Sequence, residues 1–230
     1  MRPFAAAFAA VVVVGATAYL AFFPRWSGTW AFWALAAGPT IVLAVLSLLW
    51  ARHEGLASEW LRWKPGDFTM GFLAAAALFG VAWAVVRLVA PVGSEREIWL
   101  VSLYAQIGDP RELQAHVALV APAICAAAFA EEVVWRGAVT RLLAQRVGSR
   151  SAWVWSAALY ALAYVPTAWS LRASGGEGGL DPVLPFGALG AGLLWGGIAR
   201  ASGRIAPAMV AHALFDWAVV MMFPLWGTHG

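Results

Sequence analysis

Residues 131–136 read Glu-Glu-Val-Val-Trp-Arg and interrupt an otherwise apolar run. Glu132 and Arg136 are four apart, so on a helix they share a face and can pair. Glu131 is rotated by about 100° from Glu132, which leaves a second carboxylate free to point elsewhere. Far downstream, His212 and Asp216 are again four apart and project to one side of their helix. A carboxylate left outside an ion pair in this way is free to do chemistry. Other chemistries use the same residue types. Polar pairs also stitch membrane helices together, at an average of about 0.6 kcal/mol each. Glu131, Glu132, His212 and Asp216 could also ligate a metal. Against that, the chain has no His-Glu-x-x-His, Arg136 beside the carboxylates opposes a cation, and zinc sites favour His and Cys.

The surrounding chain decides where such residues sit. Of its 230 residues 62% are hydrophobic and 12% charged, whereas soluble domains are about 45–50% apolar and about 25% charged. The expectation is an all-α polytopic membrane bundle forming a single integral-membrane domain over residues 1–230, with no soluble domain and no internal repeat. Apolar runs near the roughly 20 residues a span requires predict seven spans, at about 4–23, 30–50, 69–90, 115–140, 152–169, 183–199 and 205–224. Trp26, Trp30, Trp50, Trp153 and Trp169 stand at the ends of runs, where an amphipathic ring prefers the headgroup zone. Segment 91–113 contains an interfacial helix candidate, and the Gly-rich segment 170–181 reads as a mobile linker. Arg2, the apolar run after it and Ala16 to Ala18 resemble a signal peptide, but Tyr19 to Phe23 prolong the run, so an uncleaved first helix is expected. Cys125 excludes an internal disulfide and reads as an inert buried thiol.

The formal charge of +3 does not point to nucleic acid, because the basic residues are scattered through short loops. An N-terminus in the cytoplasm puts the larger set of them there: Arg2, Arg52, Arg62, Lys64, Arg141, Arg146, Arg150, Arg200 and Arg204. The opposite side holds Arg25, Arg87, Arg96, Arg111 and Arg172. At about 1.5 Å per helical residue, Glu131 lies roughly 15 Å below Arg141, while His212 and Asp216 lie roughly 12 and 18 Å below Arg204. Two helices distant in sequence thus bring polar groups to one depth near the midplane. Placing a charge there costs roughly 2.5–3.5 kcal/mol on insertion scales.

Glu-Glu-x-x-x-Arg on one membrane helix, followed by His-x-x-x-Asp, resembles the CPBP family of glutamic intramembrane proteases, the Abi or type II CAAX prenyl protease superfamily. "GIARASGRIAPAMVAHALFDW" also resembles the family's third motif region. The resemblant core is about 115–220. Between these motifs the family usually has Phe-x-x-x-His. Here the place reads "YALAYVPT", with Tyr160 for Phe and Tyr164 for His, and Asp216 ends the last motif where Asn is common.

The resemblance implies a hydrolase that needs no cofactor. Glu131 would be the general base, Glu132 and Arg136 would pair to hold the helix, and Tyr160 would orient. His212 would donate to the oxyanion, Asp216 would steady the water, and Tyr164 would donate to water or oxyanion. A phenol titrates near 10 and is no neutral-pH base, so the water site is rearranged. The implied partners are the lipid bilayer and a membrane-embedded or lipid-anchored peptide or protein, with no nucleic acid. Arg, Ala and Gly in abundance beside a single Lys point to a bacterial inner membrane. The alternatives are a catalytically impaired member that binds membrane peptides as a scaffold or immunity protein, and a transporter using midplane charges as an ion path.

Overall fold

The computed structural model describes residues 3–175 and 180–225, and every regular element among them is helical. In chain order these are α1 (Pro3–Ala21), a 3₁₀ turn (Pro24–Trp26), α2 (Trp30–His53), α3 (Ala57–Trp60), α4 (Gly66–Val89), α5 (Glu97–Ile107) and α6 (Pro110–Ala115). Then come α7 (Val117–Glu132), a π-helical stretch (Val133–Val139), α8 (Thr140–Val147), α9 (Ala152–Tyr164) and α10 (Thr167–Gly175). The chain continues through α11 (Val183–Ser202) and α12 (Ala206–Trp217) to a second π-helical stretch (Ala218–Met222).

Five helices are long and apolar enough to cross a membrane: Phe4–Ala21, Trp30–His53, Gly66–Val89, Val117–Val147 and Val183–Ser202. Ala206–Met222 is apolar but shorter. The expected span at 152–169 is divided. It stops as α9 at Tyr164 and restarts as α10 at Thr167, because Pro166 lacks an N–H and cannot continue the i−4 ladder, although Val165 keeps helical dihedrals. Thr167 Oγ1 donates to the Tyr164 carbonyl at 2.6 Å across the break. Segment 91–113 folds into α5 and the start of α6, with Asp109 capping α6 through the Arg111 N–H at 2.7 Å. Helix α10 extends through much of the expected linker at 170–181, and residues 176–179 of that linker lie outside the described residues.

Two contacts hold α12 in place. Gly71 of α4 lies so close that a Cβ there would meet Val210 Cβ and Cγ1 at 2.5 Å and the Pro207 carbonyl at 3.0 Å. The guanidinium of Arg204, in the turn before α12, donates to both carboxylate oxygens of Asp67 at the start of α4. At the other end of α12, Tyr104 donates to the Val219 carbonyl at 2.8 Å and Gln114 donates to that of Met221. A π turn shifts backbone acceptors out of the i−4 ladder, and these two side chains take up acceptors there. The main core gathers Val14, Val134, Trp135, Val139, Tyr160, Trp195 and Met209 around the crossing of α1, α7, α9, α11 and α12.

Gly71→Ala forces a methyl into Val210 and lowers stability by about 1–3 kcal/mol. Adding Val210→Ala recovers most of the loss, measured by thermal unfolding in detergent micelles. Asp181, before α11, is buried; one oxygen accepts the Val183 N–H at 2.9 Å, and burial pushes its carboxyl up to about 6. A raised carboxyl means the folded state holds its proton more tightly than the unfolded chain. Stability therefore falls as pH rises from about 4 to about 6. Asp181→Asn removes that penalty, stabilising the protein at pH 7.5 by on the order of 2 kcal/mol and leaving it unchanged at pH 3.5.

Candidate active site

Two adjacent carboxylates are treated in opposite ways. Glu132 is fully buried and closes an ion pair one turn along, with Arg136 Nη1 2.8 Å from Glu132 Oε1. The same oxygen meets His212 Nδ1 at 2.8 Å, from α12. The second imidazole nitrogen, Nε2, faces Asp216 Oδ2 at 3.2 Å. Both imidazole nitrogens of His212 thus face carboxylate oxygens. Its side chain is 3% exposed and that of Asp216 33%, so Asp216 is the outlet of this chain toward open space.

Glu131 takes no part in the arginine pair. Its two oxygens accept from two phenols of α9: Tyr160 donates to Oε2 at 2.6 Å and Tyr164 to Oε1 at 2.8 Å. The phenols are four residues apart and so share a face, with ring centroids 5.3 Å apart and edge-to-face. A carboxylate has about four acceptor sites, so each Glu131 oxygen keeps a lone pair. Glu131 and Tyr164 are half-buried, Tyr160 buried. Tyr164 thus donates to the neighbouring carboxylate of Glu131.

All seven residues singled out in the sequence fall into one connected cluster. Tyr160 joins its halves, because the Arg136 guanidinium lies 4.8 Å above its ring. Cys125, expected to be a buried thiol, is half-buried and forms no part of these contacts. The sequence reading passed over Trp195 of α11. Its indole stacks on the His212 ring at 3.8 Å and 18°, and Arg136 lies 5.2 Å from the same indole. The one signal was its place in mid-run between Leu194 and Gly196, away from the helix ends that the interfacial Trp residues mark. Trp30 and Trp169 are 61% and 52% exposed, whereas Trp195 is 2%.

The π-helical stretch sets the site's local geometry. The Trp135 carbonyl accepts from Thr140 Oγ1 at 2.8 Å and from Ser156 Oγ of α9 at 2.7 Å. A π turn displaces carbonyls from the ordinary ladder, and these hydroxyls satisfy one of them. They also tie α9, with both phenols, to the helix that carries Glu131. Gly137, inside this stretch, lets Trp60 approach to where a Cβ would meet its ring at 2.9 Å. Among the described residues no group of three or more His, Cys, Asp and Glu side chains is arranged to hold a metal ion.

Residues 113–218 match the family model described as Rce1-like, type II CAAX prenyl endopeptidase Rce1-like. That stretch begins ahead of α7 and ends just past α12, so it contains every residue of the cluster. No curated protein and no solved structure matches the chain.

Arg136→Met leaves Glu132 buried with only His212 against it. Breaking one side of a buried pair costs roughly 3–5 kcal/mol, and the melting temperature in micelles falls accordingly. The double variant Arg136→Met/Glu132→Gln recovers part of that loss, because no unpaired charge remains.

Proposed function

We propose that this chain, whose residues 113–218 match the Rce1-like, type II CAAX prenyl endopeptidase family model, is a glutamic intramembrane endopeptidase acting on the tail of a membrane-associated protein or peptide. The family is one of proteases, and the chain is an integral membrane protein by its apolar helices. One observation carries the finer reading: of two neighbouring acids, Glu132 is spent in an ion pair and Glu131 is held only by neutral phenols.

Glu131 takes a proton from a water molecule as the water oxygen bonds to the scissile carbonyl carbon. The carbonyl oxygen becomes an oxyanion, which His212 stabilises through its Nε2–H. Asp216, the most exposed member of the chain, releases that hydrogen bond. Collapse of the tetrahedral intermediate breaks the C–N bond. The leaving nitrogen takes the proton held by Glu131, giving an amine and a new carboxyl terminus. Tyr160 and Tyr164 fix the plane of the Glu131 carboxylate, which leaves one direction on each oxygen for water. Glu132, Arg136 and Trp195 hold the imidazole. The N-terminus faces the cytoplasm, following the distribution of Lys and Arg, and the membrane is a bacterial inner membrane.

A second reading has its own support. Both oxygens of Glu131 and both nitrogens of His212 are already engaged, which is also how a member that binds membrane peptides without cutting them would be built.

Mass spectrometry of protein C-termini in membranes with and without the protein separates the two readings. Glu131→Gln lowers cleavage by about 10²–10⁴-fold, the contribution of a general base, and retains peptide binding. His212→Ala lowers it by about 10²–10³-fold, the loss of one oxyanion donor. Identical C-termini in both membranes leave the binding role as the function.

A further inference from the structure

Away from the cluster, an open cleft of about 460 Å³ lies on the outer wall of the bundle between the start of α1 and the end of α8, lined by Phe4, Ala5, Phe8 and Arg146. Its one charged member, Arg146, is exposed and forms no hydrogen bond or ion pair among the described residues. The elements packed most closely on α8 are α1, α9 and the π-helical stretch Val133–Val139. Neither they nor α8 itself carry an Asp or Glu, so the surroundings hold nothing to neutralise the guanidinium.

An apolar wall continues from it. Phe4, Phe8 and Val12 follow at four-residue intervals along one side of α1, and each stays half exposed. The stripe is about 12 Å long, which spans most of one leaflet, half of a hydrocarbon core about 30 Å thick. Phe4 opens one membrane-crossing helix, and Arg146 stands one residue before the end of another, Val117–Val147. The guanidinium is therefore at headgroup level and the stripe runs inward from it.

Two unlike requirements meet in this cleft. An unpaired guanidinium suits an anion, best a phosphate that it grips with two parallel N–H groups. The stripe beside it suits a hydrocarbon chain. An anionic glycerophospholipid carries both. A choline headgroup brings its own cation next to the phosphate and meets Arg146 less favourably, and a free phosphate leaves the stripe uncovered.

We propose that the α1–α8 cleft binds one anionic phospholipid, with the phosphate on Arg146 and an acyl chain laid along Phe8 and Val12. The lipid bridges α1 to α8. Helix α1 also abuts α9, where Gly15 comes so close that a Cβ would meet the Ala163 carbonyl at 3.1 Å, one residue before Tyr164. Occupation of the cleft thus fastens the helix that braces the carrier of both phenols. The site requires the membrane-spanning bundle and not the proteolytic reading of Glu131.

The test uses the full chain purified in neutral micelles doped with phosphatidylglycerol or phosphatidylcholine, read by native mass spectrometry and thermal unfolding. Phosphatidylglycerol is retained about 5-fold more tightly, the advantage of one basic residue beside an anionic lipid. At about ten times its Kd it raises Tm by about 3–6 °C, as mass action gives for a chain of this size. Arg146→Gln removes both the preference and the shift, Arg146→Lys keeps both, and Arg25→Gln, past the far end of α1, changes neither. Phe8→Ala, a second variant should Arg146→Gln unfold, lowers phosphatidylglycerol retention at least about 3-fold by removing apolar contact. Glycerophosphate, the headgroup without its chains, gives no shift. Equal retention of the two lipids, or a preference that survives Arg146→Gln, means annular contact only and overturns the proposal. Protection by glycerophosphate overturns it in favour of a soluble-phosphate site.

Discussion

The Glu132 carboxylate has no access to solvent, and much of the structure follows from having to compensate it. In a low-dielectric interior an isolated charge is expensive, and a paired one is tolerated only with good geometry on several sides. Arg136 supplies one side from the same helix, and His212 supplies another from a helix eighty residues downstream, both at 2.8 Å. That second contact requires α12 to lie hard against α7 at one rotation. The tight seat at Gly71, the Asp67–Arg204 pair and the Trp195 indole stacked on the imidazole all act on that rotation.

The contrast with Glu131 is a contrast of neighbours. One residue along the chain and a third of a turn around, the carboxylate meets two neutral hydroxyls and no guanidinium. Paired acids set in environments that differ this much are a recurrent way to give one a structural task and leave the other for chemistry. The phenols achieve this without adding charge, which suits a site where any further charge would need its own partner.

Spacing made part of this legible before any coordinates. The four-residue intervals of Glu132 with Arg136 and of His212 with Asp216 describe contacts that exist at 2.8 and 3.2 Å. The apolar composition fixed an all-helical class. What escaped was set by tertiary contacts. The π-helical stretch depends on hydroxyls from Thr140 and Ser156 converging on the Trp135 carbonyl, and no local periodicity announces that. The shared depth of the two motifs is legible in the sequence, but that His212 bonds Glu132 rather than Glu131 is set by packing. Reading Trp as an interfacial marker hid Trp195, which the packing draws against the imidazole. The division of 152–169 was visible in Pro166, yet the apolar run around it read as one span.

Tyr104 and Gln114, which grip the backbone after α12, differ in their relation to the matched stretch of 113–218: Gln114 lies inside it, Tyr104 outside. Gly71 and Asp67 are outside as well. The recognisable motif block is therefore not a portable module. Excised and grafted onto another bundle, it would carry every side chain of the cluster but lose the α4 and α5 contacts that hold α12, and with them the orientation of its imidazole.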